Sequence, residues 1–235
     1  MGRRLTEPDL SAAPIGIELL DDRRADPALV RESLRHLARS NRWFGGVSAA
    51  KTGIARVLGS SRPAELRLLD IGTGDGDIPR ALVGWLGRRG IRLKATGVDW
   101  HRAAPPLARG NGIPAAVADA FQLPFADRTF DLVVMSQFAH HFSGDGIVRL
   151  CREASRAARL GVVIADLRRT VWAAAAFGLG SRILGFDRYT RVDGITSLRR
   201  GFRPADLAAV IQAAGFQPTV TASPGARLVA TWSTS

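Results

Sequence analysis

The chain has 235 residues, 46% of them hydrophobic, which suits one α/β domain with an N-terminal extension and is too short for two full domains. No window approaches the roughly 18 apolar residues of a membrane span and the N-terminus lacks a signal-peptide core, so a cytoplasmic protein with no membrane span is expected. The lone Cys151 excludes an internal disulfide, a multi-cysteine zinc site and any two-cysteine mechanism, whereas a net charge of +12 raises nucleic acid as a partner. The cations are almost all arginine, with Lys51 and Lys94 the only lysines. They are scattered rather than gathered into one run, which fits an arginine-rich coding bias and argues against a phosphate-binding stripe.

In chain order, residues 1–25 carry charge, Pro8 and Pro14 and no sustained apolar period, and are expected to form a flexible tail. Asp26 can cap a helix, Pro27 suits its first position, and Leu29, Val30, Leu34, Leu37 and Ala38 recur at helical spacing up to about Ser40. A second helix over 47–58 completes a helical lid over residues 26–60. Beyond it strands and helices alternate: strand 66–71, helix 78–89, strands 92–99, 114–119 and 130–136, helix 144–159 and strand 161–167. A helix over 171–184, an irregular arginine-rich segment to residue 203 and a helix over 204–214 stopped by Gly215 come next. Two strands, 218–222 and 227–233, close the chain as a hairpin through Ser223-Pro224-Gly225. Such alternation implies a parallel-rich sheet covered by helices on both faces.

Leu68-Leu69-Asp70-Ile71-Gly72-Thr73-Gly74-Asp75-Gly76-Asp77 is a strand running into a glycine-rich turn and then a helix. Glycines allow a sharp bend and close approach to a ligand, and the amides at the helix start favour an anionic group such as a carboxylate. A nicotinamide site carries G-x-G-x-x-G, but here the third glycine comes one residue early. Asp70 beside the turn would repel a pyrophosphate and attract an ammonium.

This run resembles the first motif of class I S-adenosylmethionine-dependent methyltransferases, and the resemblance extends over residues 66–167. It implies an α/β, Rossmann-like, parallel-rich seven-stranded sheet with helices on both faces, an N-terminal helical lid and a C-terminal antiparallel hairpin. Residues 61–235 would then be the cofactor-binding domain, with a further lid segment over 168–203. In that family the turn cradles the amino-acid half of S-adenosylmethionine, which maps onto Asp70, Gly72, Thr73, Gly74 and Gly76. An acid ending the second strand takes the ribose hydroxyls, here Asp99, with Trp100 next to pack on adenine. The acid after the third strand meets the adenine amine, here Asp119 followed by Ala120 and Phe121. Carboxylates suit both tasks, because they accept hydroxyl and amine hydrogen bonds. Taken singly, Asp70 or Asp119 reads equally well as a helix cap and the glycine turn as a common loop.

The fourth strand leads into Ser136-Gln137-Phe138-Ala139-His140-His141-Phe142, which resembles the corresponding segment of ubiquinone and menaquinone C-methyltransferase-like enzymes. Ser136 is assigned to the cofactor, and His140 or His141 to the base that takes the acceptor proton. The two histidines are indistinguishable at this level, and both also read as turn-packing residues. Asn41-Arg42-Trp43-Phe44-Gly45-Gly46 offers Arg42 for the methionyl carboxylate and Trp43 and Phe44 as lid aromatics, or as staples of the helix to the core. The stretch 166–169 and the segment 186–200, with Arg168, Tyr189 and Arg199, extend the lid. With the N-R-W-F-G-G run they resemble small methyltransferases encoded near type III polyketide synthases.

The resemblance implies O-methylation of a phenolic or polyketide-like natural-product intermediate, in secondary metabolism, by a monomer or homodimer that needs no metal. An RNA-directed methyltransferase is the rival suggested by the charge. Against it, no Asn-Pro-Pro-aromatic element follows the fourth strand to hold a flipped base. A non-catalytic cofactor-binding protein is the third reading.

Overall fold

The computed structural model describes residues 20, 25–186 and 188–234, the side chains of residues 171 and 189 excepted. Apart from Leu20 and Ala25, the expected N-terminal tail lies outside the described residues. The chain runs α1 (Pro27–Trp43), α2 (Gly46–Leu58), β1 (Glu65–Ile71), α3 (Asp77–Gly87), β2 (Arg92–Asp99), α4 (Ala104–Gly110), β3 (Ala115–Val117) and β4 (Phe130–Ser136). A short 3-10 turn (Ala139–His141) then leads to α5 (Asp145–Ala157), β5 (Ala158–Leu167), α6 (Val171–Ile183), α7 (Arg188–Arg200), α8 (Pro204–Ala213), β6 (Thr219–Ser223) and β7 (Arg227–Ser233).

The strands form one sheet in the order β3-β2-β1-β4-β5-β7-β6, parallel except for β7, which pairs antiparallel with both β5 and β6. Alternate residues of each strand point to opposite faces. Leu69, Val133, Ile164 and Leu228 meet α5 and α8 on one side. Leu68, Val134, Val163 and Val229 meet α2, α3 and α4 on the other. Strands buried on both faces read as continuous apolar runs, which is why β1, β4 and β5 were plain in the sequence.

Two expectations need correction. The segment before α8 is not irregular: α7 is helical, because Leu198 packs with Leu167, Ala173 and Ala226 beneath it. Its other inward positions, Thr190, Asp193, Gly194 and Ser197, are polar or small, so no apolar period betrayed the helix. The proposed lid over 26–60 divides into two. Only α1 covers the cavity described below, whereas α2 is part of the sheet's cover, with Ala49, Ala50 and Ile54 fully buried against it. Boundaries shifted as well: α1 continues to Trp43, α5 stops at Ala157, and the unexpected α4 fills the connection from β2 to β3.

The register brings the carboxyl ends of β1, β2, β4 and β5 to one edge, pairing Ile71 with Val98 and Met135, and Ser136 with Ala165. Because β7 runs the other way, its first residue, Arg227, lies opposite Leu167 at that same edge.

The contact of α2 with β5 is tight at Gly53, where an added Cβ would sit 2.2 Å from Val163 Cγ1. Gly53→Ala is expected to destabilise the protein by about 1–3 kcal/mol through overpacking, read as a lower urea midpoint with an unchanged slope.

Candidate active site

At the end of β1 the backbone turns through left-handed φ at Gly72 (+73°), Gly74 (+55°) and Gly76 (+79°), values that side chains with a Cβ rarely tolerate. The turn is anchored to β2, since Gly72 and Thr73 donate to the Val98 carbonyl at 2.9 and 3.0 Å. Asp99 clamps it further: Oδ2 accepts from the Gly74 amide at 3.0 Å and Oδ1 from the His101 amide at 2.9 Å. A Cβ on Gly72 would collide with the Phe138 ring at 2.3 Å, so the turn also lies against the segment that follows β4.

Four acids crowd this turn. Asp70 is 2% exposed, and its Oδ1 has no hydrogen-bond partner among the described residues. Burial pushes Asp70 up to about 8, with Asp77 and Asp99 adding repulsion. Burial likewise lifts Asp77 to about 6 and raises Asp75 and Asp99. Asp70, Thr73, Asn41 and Asp77 line a pocket of about 20 Å³, room for a single small polar group. Such a pocket is built for a cation with hydrogens to donate.

Gly72, Gly74, Leu34, Leu37 and Ser136 also line a second cavity of about 570 Å³ that extends along the sheet edge. Asp99, Trp100, Asp119, Ala120 and Phe121 border it. Asp119 accepts from the Phe121 amide at 2.9 Å, and the Phe121 ring meets Phe142 edge-on with centroids 5.1 Å apart. His101 borders the same region with Nε2 buried and without a hydrogen-bond partner among the described residues.

The segment after β4 supplies the opposite wall, where Ser136 Oγ is buried without a hydrogen-bond partner among the described residues. The two histidines, alike in sequence, differ here. His140 is 5% exposed and its Nδ1 lies 2.7 Å from Asp166 Oδ1, while its backbone amide donates to Oδ2 at 3.1 Å. Burial alone would raise the Asp166 carboxyl, but the His140 ring and the Leu167 amide outweigh it and hold the group below the usual carboxylate range. The His140 Nε2 has no hydrogen-bond partner among the described residues. His141 also borders the cavity, half-buried, with its ring centroid 4.3 Å from that of His140. Asp166, expected in the lid, is instead fully buried at the end of β5.

Sequence reasoning missed Arg227. It is 2% exposed, borders the cavity, and donates from Nε to the Phe44 carbonyl at 2.9 Å and from Nη1 to Gln137 Oε1. Gln137, a non-glycine residue at φ +49°, in turn donates to Asn41 Oδ1, and Asn41 donates to Asp77 Oδ2 at 3.0 Å. Burial lowers Arg227 to about 10, which leaves it cationic at neutral pH. Among thirty-one arginines in the chain nothing local marks this one. Only its place as the first residue of an antiparallel strand aims it at the site.

Of the expected lid residues, Phe44 borders the cavity and packs on Phe177 with centroids 5.5 Å apart. Arg42 and Arg199 are exposed, Trp43 is 67% exposed, and none of the three borders either cavity. Helical phase turns them outward. Arg168 also stays outside the cavity, its amide bound to the Ala226 carbonyl at 2.8 Å. Tyr189 lies in α7, with its side chain outside the described set.

Residues 69–165, which carry the glycine turn, the Asp99 clamp and His140, match the family model described as a methyltransferase domain. Demethylmenaquinone methyltransferase of Roseiflexus sp. (strain RS-1) is 36% identical over 105 residues, 43% of this chain and 42% of that protein. The Roseiflexus castenholzii (strain DSM 13941 / HLO8) protein of the same name is 34% identical over 117 residues, 48% and 47% of the two chains. The chain thus matches less than half the length of these relatives. Among solved structures, a SAM-dependent methyltransferase from Aquifex aeolicus superposes with TM-score 0.63 at 14% identity, covering 89% of this chain and 99% of its own. Human N-acetylserotonin methyltransferase gives 0.63 at 13% identity over 88% and 56% of the two chains. At such identities the superpositions establish the fold.

The acid cluster at the glycine turn ties the stability of the protein to pH. Asp70 is raised from 3.8 to about 8 in the folded chain, so the folded state holds its proton where the unfolded state has lost it. The ligand-free protein is therefore expected to lose stability as pH rises from about 4 toward 8. Asp70→Asn should flatten that fall in melting temperature, whereas a slope unchanged by the substitution would show that Asp70 ionises freely.

Proposed function

We propose that the chain transfers a methyl group from S-adenosylmethionine to a hydroxyl of a small phenolic or polyketide-like acceptor, with His140 as the base. The observation that carries this reading is the His140–Asp166 pair in the wall of the cavity that also holds the glycine turn.

The residues present fit the cofactor. The unpartnered Asp70 oxygen and its small pocket suit an ammonium, and Gly72 and Gly74 of the turn border both that pocket and the larger cavity. Asp99 keeps lone pairs for ribose hydroxyls although both its oxygens already hold backbone amides. Asp119, Ala120, Phe121 and Trp100 remain the candidates for the adenine end, and Ser136 for the junction of the two cavities. When bound, the cofactor supplies a sulfonium methyl already activated by positive charge.

The rest of the work is alignment, exclusion of water and removal of one proton. With His140 Nδ1–H donated to Asp166, the neutral ring presents Nε2 as an acceptor, and the acceptor hydroxyl gives its proton to that atom. The resulting imidazolium is stabilised by the buried Asp166 carboxylate. Arg227 is a buried cation whose hydrogen-bond acceptors, the Phe44 carbonyl and the Gln137 side chain, are both neutral. It favours an acceptor that carries or develops negative charge, such as a phenolate. Arg199, expected in the lid, is exposed, which leaves that task to Arg227. The name of the Roseiflexus relatives, demethylmenaquinone methyltransferase, supports an aromatic acceptor.

Isothermal titration with S-adenosylmethionine and S-adenosylhomocysteine tests the first half. Micromolar binding, about −8 kcal/mol, is expected and should be lost in Asp99→Ala; no binding of either ligand would overturn the reading. His140→Ala should lower kcat by about 10²-fold or more with cofactor affinity unchanged, while His141→Ala leaves kcat within a few-fold. Arg227→Lys keeps the charge but not the fork, and should raise the KM of phenolic acceptors more than it lowers kcat.

A further inference from the structure

We propose that the outer face of α1, α6 and α7 docks on an anionic lipid surface, from which an amphiphilic acceptor enters the cavity beneath. The entry of an acceptor rests on the methyl-transfer reading above, whereas the docking does not.

Six of the eight large hydrophobic residues exposed among the described residues lie on these three helices: Leu29, Trp43, Trp172, Leu179, Ile183 and Val192. Ile183 is 78% exposed and Leu179 63%. The same helices carry nine arginines against Glu32 and Asp193, so more than half of the chain's net charge of +12 sits on them. Arg31, Arg35, Arg39 and Arg42 form an exposed stripe along α1. Arg39 donates to the Leu184 carbonyl at 2.9 Å, which places that stripe beside the end of α6. Asp193 faces inward to the cavity, leaving Glu32 as the exposed acid of this face. The basic residues that look scattered in sequence are gathered by folding.

The inner sides of these helices border the cavity through Leu34, Leu37, Phe177 and Leu198, so the face and the cavity are two sides of one layer. Trp172 belongs to both: it borders the cavity and is 61% exposed. An entry path for an apolar substituent therefore runs past the exposed patch.

Three occupants compete for such a face. Nucleic acid would use the arginines but gains nothing from Leu179, Ile183 and Val192. A second copy of the chain would set like-charged arginines against one another. A bilayer uses both features, because its acyl boundary takes the apolar side chains while anionic headgroups take the guanidinium groups. No helix among the described residues is long and apolar enough to cross a membrane, and α6, at 13 residues, would lie in the plane of the surface.

The test is co-sedimentation of the full chain with vesicles of phosphatidylcholine, with and without phosphatidylglycerol. Binding is expected to the mixed vesicles and to weaken with salt. Leu179→Ser with Ile183→Ser should lower the partition about tenfold, with the melting temperature and cofactor affinity unchanged. Arg31→Gln with Arg35→Gln should reduce the preference for phosphatidylglycerol. Failure to bind mixed vesicles, or binding that the serine pair leaves intact and single-stranded RNA displaces, would overturn the docking. So would a dimer that the serine pair splits into monomers in sedimentation velocity. Vesicle binding by a chain that methylates no phenolic acceptor would uphold the docking and sink the methyl-transfer reading instead.

Discussion

A buried chain of hydrogen bonds crosses the carboxyl edge of the sheet, from Arg227 through Gln137 and Asn41 to Asp77, with a branch from Arg227 to the Phe44 carbonyl. Every link donates in the same direction, from a guanidinium cation toward a carboxyl group, so each bond polarises the next. It joins the start of β7, the exit of β4, the end of α1 and the start of α3, segments far apart in the sequence. Each amide uses its oxygen for one neighbour and its nitrogen for the other. Loss of any link strands a buried polar group, at a cost of about 1–3 kcal/mol. The left-handed backbone of Gln137 is held by this network and by its amide bond to the Ala165 carbonyl at 3.0 Å.

The site divides electrostatically around that chain. At one end Asp70, Asp75, Asp77 and Asp99 concentrate buried acid, which desolvation makes costly to ionise until a cation arrives. At the other end Arg227 and the His140–Asp166 pair place a cation and an imidazole–carboxylate pair in a largely apolar wall. A ligand that carries an ammonium at one end and meets an acidic partner at the other would satisfy both halves. Apolar surroundings strengthen each of these interactions, and the same surroundings make an unfilled site unstable.

The cover over the cavity shows where sequence patterns lose their meaning. In α7 the inward residues are polar because they face a cavity, and the outward ones include arginine and Val192, so the usual apolar-in, polar-out alternation is reversed in part. Gly194 marks the same helix for another reason: a Cβ there would sit 2.3 Å from the Phe177 ring of α6. A glycine needed for helix contact looks, in sequence, like a helix breaker. Arg42, Trp43 and Arg199 were chosen for their chemistry, but chemistry does not fix helical phase, and phase turned them outward.

By itself the sequence determined the alternating strands and helices, the glycine turn and the acids at the strand ends, because these depend on local rules: two-residue alternation, φ above zero, and a carboxylate following each strand. The tertiary structure alone decided that the His140 ring lies 2.7 Å from Asp166, twenty-six positions away. It also decided that one arginine among many is buried in the site, because that depends on β7 running antiparallel to β5. Those outcomes rest on register and strand direction, which long-range packing sets and which no stretch of neighbouring residues encodes.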